Sequence, residues 1–152
     1  MKRSTWIVAG LALAAAVAAA VPARAGREGA WLPLRDGTRL KTTDDDCVYL
    51  VDAGRLRPMT YAAYTALYGD WSGIVFVESV PSSLVGERVD EKTRLIKSAD
   101  NVATYLVDSN GTTKRVIDNR WAFEAAFGFS WSKVKIVPQE EIDRLSEGPR
   151  LE

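Results

Sequence analysis

Histidine is absent from all 152 residues, so the chain lacks both the commonest general base and the commonest metal ligand. Serine or cysteine triads that rely on imidazole are excluded. What remains for chemistry is one thiol, several carboxylate clusters, and aromatic rings beside arginines. Cys47 is the sole cysteine and cannot close a disulfide within the chain. An unpaired thiol can react or bridge to another molecule. Its place on a strand-like run with Tyr49 and Val51 favours a small buried residue instead.

Asp44-Asp45-Asp46 and Asp108-Ser109-Asn110-Gly111 offer oxygens of the kind Ca²⁺ takes. In the second run, however, the twelfth position is Asn119 where a calcium loop needs a bidentate glutamate. Both segments fall where strands must be connected, so solvated turns are expected and no metal site is assigned. The carboxylate pairs Glu140 with Glu141 and Glu124 with Asp118 raise glycoside hydrolysis, which needs two carboxyl groups facing each other across a cleft. Adjacent residues on a helix do not face one another, so no catalytic residue and no cofactor is assigned.

The aromatic set is the more informative one: Trp71, Trp131, Tyr49, Tyr105, Tyr61, Tyr64, Tyr68, Trp121, Phe123 and Phe127, with Arg57 and Arg115. A flat ring beside a guanidinium can stack on a sugar and bond to its hydroxyls. Periodicity assigns the helical aromatics mainly to core. Trp71 and Trp131 each follow a glycine corner and precede a serine, where a ring can stay exposed. Trp71, Trp131, Arg57 and Arg115 are therefore the candidate binding residues, with pairing of the arginines to acidic neighbours across a hairpin as the ordinary alternative.

The elements that must position these residues are written twice. Residues 37–86 laid over 93–148 match Thr38-Arg39-Leu40 with Thr93-Arg94-Leu95, and Val48-Tyr49-Leu50-Val51-Asp52 with Thr104-Tyr105-Leu106-Val107-Asp108. Gly54 then meets Gly111, Arg57 meets Arg115, Gly69 meets Gly128, Trp71-Ser72 meets Trp131-Ser132, and Gly86 meets Gly148. Cys47 falls on Ala103. The offset drifts from 55 to 62, with each step expected in a turn or loop.

Each unit predicts strand, strand, strand, helix, strand and short helix. Strands are expected at Thr93 to Lys97, Ala103 to Val107, Lys114 to Ile117 and Val134 to Val137. Asp118 and Thr60 are the expected helix caps, Gly128 and Gly69 the stops, and Gln139 to Ser146 a last helical turn or two. The fold class predicted is α+β: two tandem copies of a small antiparallel sheet with a short amphipathic helix, packed together because a lone unit of this size buries little surface. Tandem units with this tyrosine-bearing strand, arginine-bearing return strand, aromatic helix and tryptophan corner resemble a repeat of exported and surface-attached bacterial proteins. The resemblance covers residues 37–148, implies an accessory module, and carries over no catalytic or ligand residue.

Ahead of the repeat, Met1-Lys2-Arg3 is followed by an uncharged, alanine-rich run from Ser4 to Ala23 and then Ala23-Arg24-Ala25. This is the pattern of a secretory leader over residues 1–25, cleaved after Ala25. Residues 26–36 are expected as a lead-in, 87–92 as a connector and 149–152 as a polar tail. No second long apolar run follows, so no transmembrane segment is expected after cleavage. Without Lys2, Arg3 and Arg24 the chain holds 17 basic and 20 acidic residues, which disfavours nucleic acid as a partner.

These features together lead to the expectation of an exported, periplasmic or extracellular, non-catalytic binding module that recognises a glycan, a wall polymer or another exported protein. The alternative is an inhibitor or assembly factor acting on a protein, and a carboxylate-based hydrolase is a third reading. Amino-terminal sequencing of the exported chain is expected to begin at Gly26; retention of Met1 on the chain would overturn the leader.

Overall fold

The computed structural model describes residues 34–152, so the leader at 1–25 and the lead-in as far as residue 33 lie outside the described residues. Within them the fold is mixed α+β, with one four-stranded and one five-stranded sheet and few helices. Two compact units are present, one made of residues 34–58 and 72–87, the other of 59–71 and 88–152.

In the first unit β1 (Arg39–Thr42) lies between β2 (Val48–Asp52) and β4 (Ile74–Val77), and β3 (Arg55–Met59) lies outside β2. Alternation on β1 buries Leu40 and Thr42 and leaves Arg39 and Lys41 half-buried. Leu40, Val51, Leu56 and Val77 form the core, joined by Leu34 from the lead-in. The β2–β3 hairpin turns on Ala53 and Gly54, whose φ values of 50° and 73° give the mirror-image turn that suits strand twist. Ala53 carries a strain that glycine would not, on the order of 1 kcal/mol.

In the second unit β5 (Arg94–Lys97) lies between β6 (Thr104–Val107) and β8 (Lys135–Ile136), while β7 (Thr113–Ile117) and β9 (Ser146–Glu147) continue beyond β6. The β6–β7 turn uses the expected hairpin chemistry: Asn110 Oδ1 accepts from the backbone N–H of Thr112 and Thr113, and Gly111 has φ 75°. Helix α1 (Tyr61–Leu67) belongs to this unit and packs on β5. Thr60 caps it as expected, its hydroxyl accepting from Ala63 N–H at 3.1 Å. Helix α2 (Gln139–Asp143) buries Ile142 against Ile96 and Val107.

Several expectations are corrected. The sheets are mixed, not antiparallel: β1 pairs with β4, β5 with β8 and β7 with β9 in parallel. The helical segment before Gly128 is capped by Asn119, whose Oδ1 accepts from Ala122 N–H at 2.9 Å, one residue beyond the expected Asp118. That segment closes as a π turn, Ala122–Ala126, with Phe127 N–H bonding back to Ala122 C=O. Gly128, at φ 67°, stops it, whereas Gly69 has no positive φ. The last helix ends at Asp143, and Ser146–Glu147 instead adds an edge strand. Residues 149–152 are no loose tail, since Leu151 is buried and bridges Ile117. The connector is fixed likewise: Val89 is buried and bridges Met59.

The same bonds recur in both units. Gly86 N–H donates to Leu56 C=O at 2.8 Å, and Gly148 N–H to Lys114 C=O at 2.8 Å. A Cβ at Gly148 would sit 2.7 Å from Thr113 Cγ2, and one at Gly86 would sit 3.0 Å from Arg55 Cβ, so each glycine lets its segment press against the return strand. Arg57 Nε donates to Glu87 C=O at 3.0 Å, and Arg115 Nε to Pro149 C=O at 2.9 Å.

Each arginine also meets an aspartate from the preceding arm of its hairpin, Asp52 at the end of β2 and Asp108 just after β6: Arg57 with Asp52 at 2.8 Å and Arg115 with Asp108 at 3.8 Å. The first pair is almost wholly buried, with side-chain exposures of 9% and 6%. Removing one partner leaves a buried charge uncompensated. Asp52→Ala is expected to lower unfolding free energy by about 3–5 kcal/mol, and Asp108→Ala, at the longer and wetter pair, by about 1–2 kcal/mol. Urea unfolding measures both, and equal small losses would show that the first pair does not anchor its hairpin.

Candidate functional site

Tyr61 and Tyr64 on α1 and its C-cap Tyr68 recur at helical spacing, which gathers their rings along one side of the helix. Tyr64 and Tyr68 are buried, with ring centroids 4.7 Å apart. Trp71 folds back from the corner after the helix and lies flat on Tyr64, centroids 4.0 Å apart and planes 1° from parallel. The Tyr64 hydroxyl donates to Asp70 C=O at 2.8 Å and fixes that corner.

In the same unit Trp131 lies on Phe123, with centroids 3.8 Å apart and planes at 17°. Phe129 joins the two stacks, contacting Phe123 edge-on and Tyr68 at a tilt, each at 5.6 Å. Trp71, Tyr64, Tyr68, Phe129, Phe123 and Trp131 thus form one continuous row of rings inside the second unit. Ser130 N–H donates to Leu67 C=O at 2.9 Å alongside the row and ties α1 to the segment carrying Phe129.

The four middle rings are buried and the two ends are not: Trp71 is 51% and Trp131 47% exposed. One face of each indole is therefore covered by a ring of the core while about half of the residue stays accessible, and the exposed Tyr61 also stacks on Trp71, centroids 5.9 Å apart and planes at 27°. Each aromatic contact contributes about 0.5–1.5 kcal/mol beyond burial, which is enough to hold both indoles in fixed orientations. An exposed ring held this way loses little freedom when a ligand covers it.

The indole N–H of Trp131 donates to Glu124 Oε1 at 2.6 Å, and Arg120 Nε donates to the same oxygen at 2.8 Å. These two hydrogen bonds, Trp131 first, hold the Glu124 carboxyl below its ordinary range. Beside Trp131 runs a groove of about 410 Å³ whose lining includes Val102, Asp118, Asn119, Arg120, Phe123 and Trp131. An aromatic wall with amide, carboxylate and guanidinium groups at one end suits a polyhydroxylated ligand.

The candidate arginines stand elsewhere in chemical terms. Arg57 and Arg115 are buried, with the guanidinium groups engaged by aspartates and backbone carbonyls. They brace the two hairpins and present no face to a sugar. Cys47, expected to be buried, is half-exposed beside Tyr49, and burial followed by the nearby Cys47 pushes the Tyr49 phenol above its ordinary value. The strand begins only at Val48, so Cys47 sits at its open end.

Asp45 and Asp108 use their carboxylates as turn caps, accepting from the N–H of Cys47 and Ser109. Among the described residues no cluster of three metal-ligating side chains occurs. Of the carboxylates considered for hydrolysis, Glu141 pairs with Arg94 at 3.4 Å, Asp118 with Arg150 at 3.3 Å and Glu124 with Arg120 at 2.8 Å.

Of the helical aromatics assigned to core, Tyr64, Tyr68, Phe123 and Phe127 are buried, but Tyr61 and Trp121 are exposed. Sequence reasoning missed Phe129, the ring that joins the two stacks, because it lies just past a glycine, outside any periodic pattern. It also missed Glu124 as the partner of Trp131, seven residues away and beyond helical spacing.

The chain matches no protein-family model, no curated protein and no solved structure. Among the described residues no helix is long and apolar enough to cross a membrane.

The Glu124 contact has a definite pH signature. Because its pKa is lowered in the folded state, the contribution of the ionised carboxylate is full above the ordinary carboxylate range and is lost as pH falls through the lowered value. Trp131 fluorescence is expected to titrate with a midpoint below 4.5, the ordinary value. Glu124→Gln should abolish the transition; a transition that survives in that variant would assign it to another group.

Proposed function

We propose that this chain is an exported, non-catalytic binding module, formed by duplication of one α+β unit, that recognises a glycan or wall polymer through Trp71 and Trp131. The observation that carries the reading is the row of rings ending in two exposed indoles on one unit. Two stacking faces at fixed separation favour an extended, repeating ligand, because engagement of the first raises the effective concentration at the second. Export is supported by the leader pattern of residues 1–25.

Duplication is supported by the recurring bonds of Gly86 and Gly148, of Arg57 and Arg115, and of Thr60 and Asp118, whose N–H groups donate to Val89 and Leu151. The sheets share a plan as well, each first strand lying antiparallel to the second and parallel to the fourth. The offset is 58 between Thr60 and Asp118 and 59 between the helix C-caps Tyr68 and Phe127. The caps Thr60 and Asn119 already stand at offset 59, so the extra residue enters between Asp118 and Asn119, in the connection ahead of the helix.

Binding to purified wall material and to an array of glycans tests the reading. Trp71→Ala and Trp131→Ala are each expected to weaken binding about tenfold or more, and the double variant to abolish it, with circular dichroism unchanged. A wild-type chain that binds no glycan but captures one stoichiometric periplasmic protein would replace this reading with the inhibitor or assembly factor.

A further inference from the structure

Ser132 and Lys133, which follow Trp131, help to line a second groove. This groove, of about 400 Å³, is lined by Thr93, Arg94, Ser132, Lys133, Lys135 and Glu91 among others. We propose that it binds an oxyanion, and that the polymer recognised by this protein is therefore an acidic one, bearing carboxylate or phosphate groups. The proposal rests on the polymer-binding reading above and adds the charge of the ligand.

Three observations converge. Lys133 is half-buried and Lys135 exposed, and among the described residues no ion pair or hydrogen bond engages either ammonium. Arg94 stands beside them, one guanidinium nitrogen 3.4 Å from Glu141 and the other donating to Lys92 C=O at 3.2 Å. Three cations thus line the groove against one lining carboxylate, Glu91.

Thr93, also in the lining, is 1% exposed, and its hydroxyl is buried with no hydrogen-bond partner. A buried hydroxyl left unpaired is costly in a folded protein, and an oxyanion seated in the groove is the partner that the surrounding charges would favour. Finally, Ser132 and Lys133 follow Trp131 directly in the chain, so one short turn supplies both the indole and part of the cationic groove.

The first tryptophan has no such neighbour. Counted from Trp71, the positions held by Lys133 and Lys135 are Gly73 and Val75. The two indoles are therefore unequal, with stacking at both and charge recognition at Trp131 alone.

The test measures binding of the exported chain to a polyuronate, to poly(glycerol phosphate) and to a neutral glucan across a salt series. Both acidic polymers, or the one with the fitting anion, are expected to bind at least tenfold tighter than the neutral one at low salt. The doubly substituted Lys133→Gln, Lys135→Gln variant should lose about tenfold and lower the slope of log affinity against log salt by about two. Trp131→Ala should weaken all bound polymers alike. Unchanged affinity and slope in the lysine variant would overturn the anion site while leaving the tryptophan reading intact.

Should no polymer bind, the site is still tested by amide NMR with inorganic phosphate. Shifts at Thr93, Ser132 and Lys133 that disappear in the lysine variant would support it, and their absence in the wild-type chain would overturn it.

Discussion

The row of stacked rings from Trp71 to Trp131 is the constraint on which the second unit is built. Its middle members are core residues, so displacing one opens a void that close packing does not tolerate. The row joins α1, the π turn and the segment carrying Phe129, which single backbone bonds from Ser130 N–H to Leu67 C=O and from Phe129 N–H to Phe123 C=O also link. Its ends emerge at the surface, so the packing that stabilises the unit also sets the orientation of the exposed indoles. Stability and candidate function are consequently carried by one set of contacts.

A different device closes the sheets. In each unit a glycine lets a late segment lie against the return strand, and an arginine from that strand holds the segment by a backbone carbonyl while pairing with the aspartate across the hairpin. A buried guanidinium in this position has its donors used in fixed directions, which suits Arg and not Lys. The candidate arginines are thus explained by architecture. Their recurrence in sequence reflects a shared need for hairpin closure, and the recurrence of the tryptophans reflects the ends of the ring row.

Much of this was legible beforehand from particular residues. Leu40, Tyr49 to Asp52, Leu95 and Tyr105 to Val107 announced paired strands by alternation, and Thr60 announced its helix by capping chemistry. Parallel pairing was not legible, since alternation fixes which face a residue occupies and not the direction of its neighbour. The cap at Asn119 was missed because Asp118 and Asn119 are both good caps, and the choice fell to the N–H of Asp118, which bonds Leu151. Val89 and Leu151 were read as connector and tail because one apolar residue among polar ones has no period to betray it.

Residue order alone therefore determined the mixed α+β class, the hairpin turns and the absence of imidazole chemistry, because these depend on residue types and on neighbours a few positions apart. Tertiary structure decided which rings meet, which arginines are buried, and that Lys133 and Lys135 line one groove with the unpaired hydroxyl of Thr93. The links that complete the ring row and the groove, Tyr68 with Phe129 and Thr93 with Lys133, join residues forty or more positions apart, and a local pattern holds no record of which distant side chain will fill the space beside it.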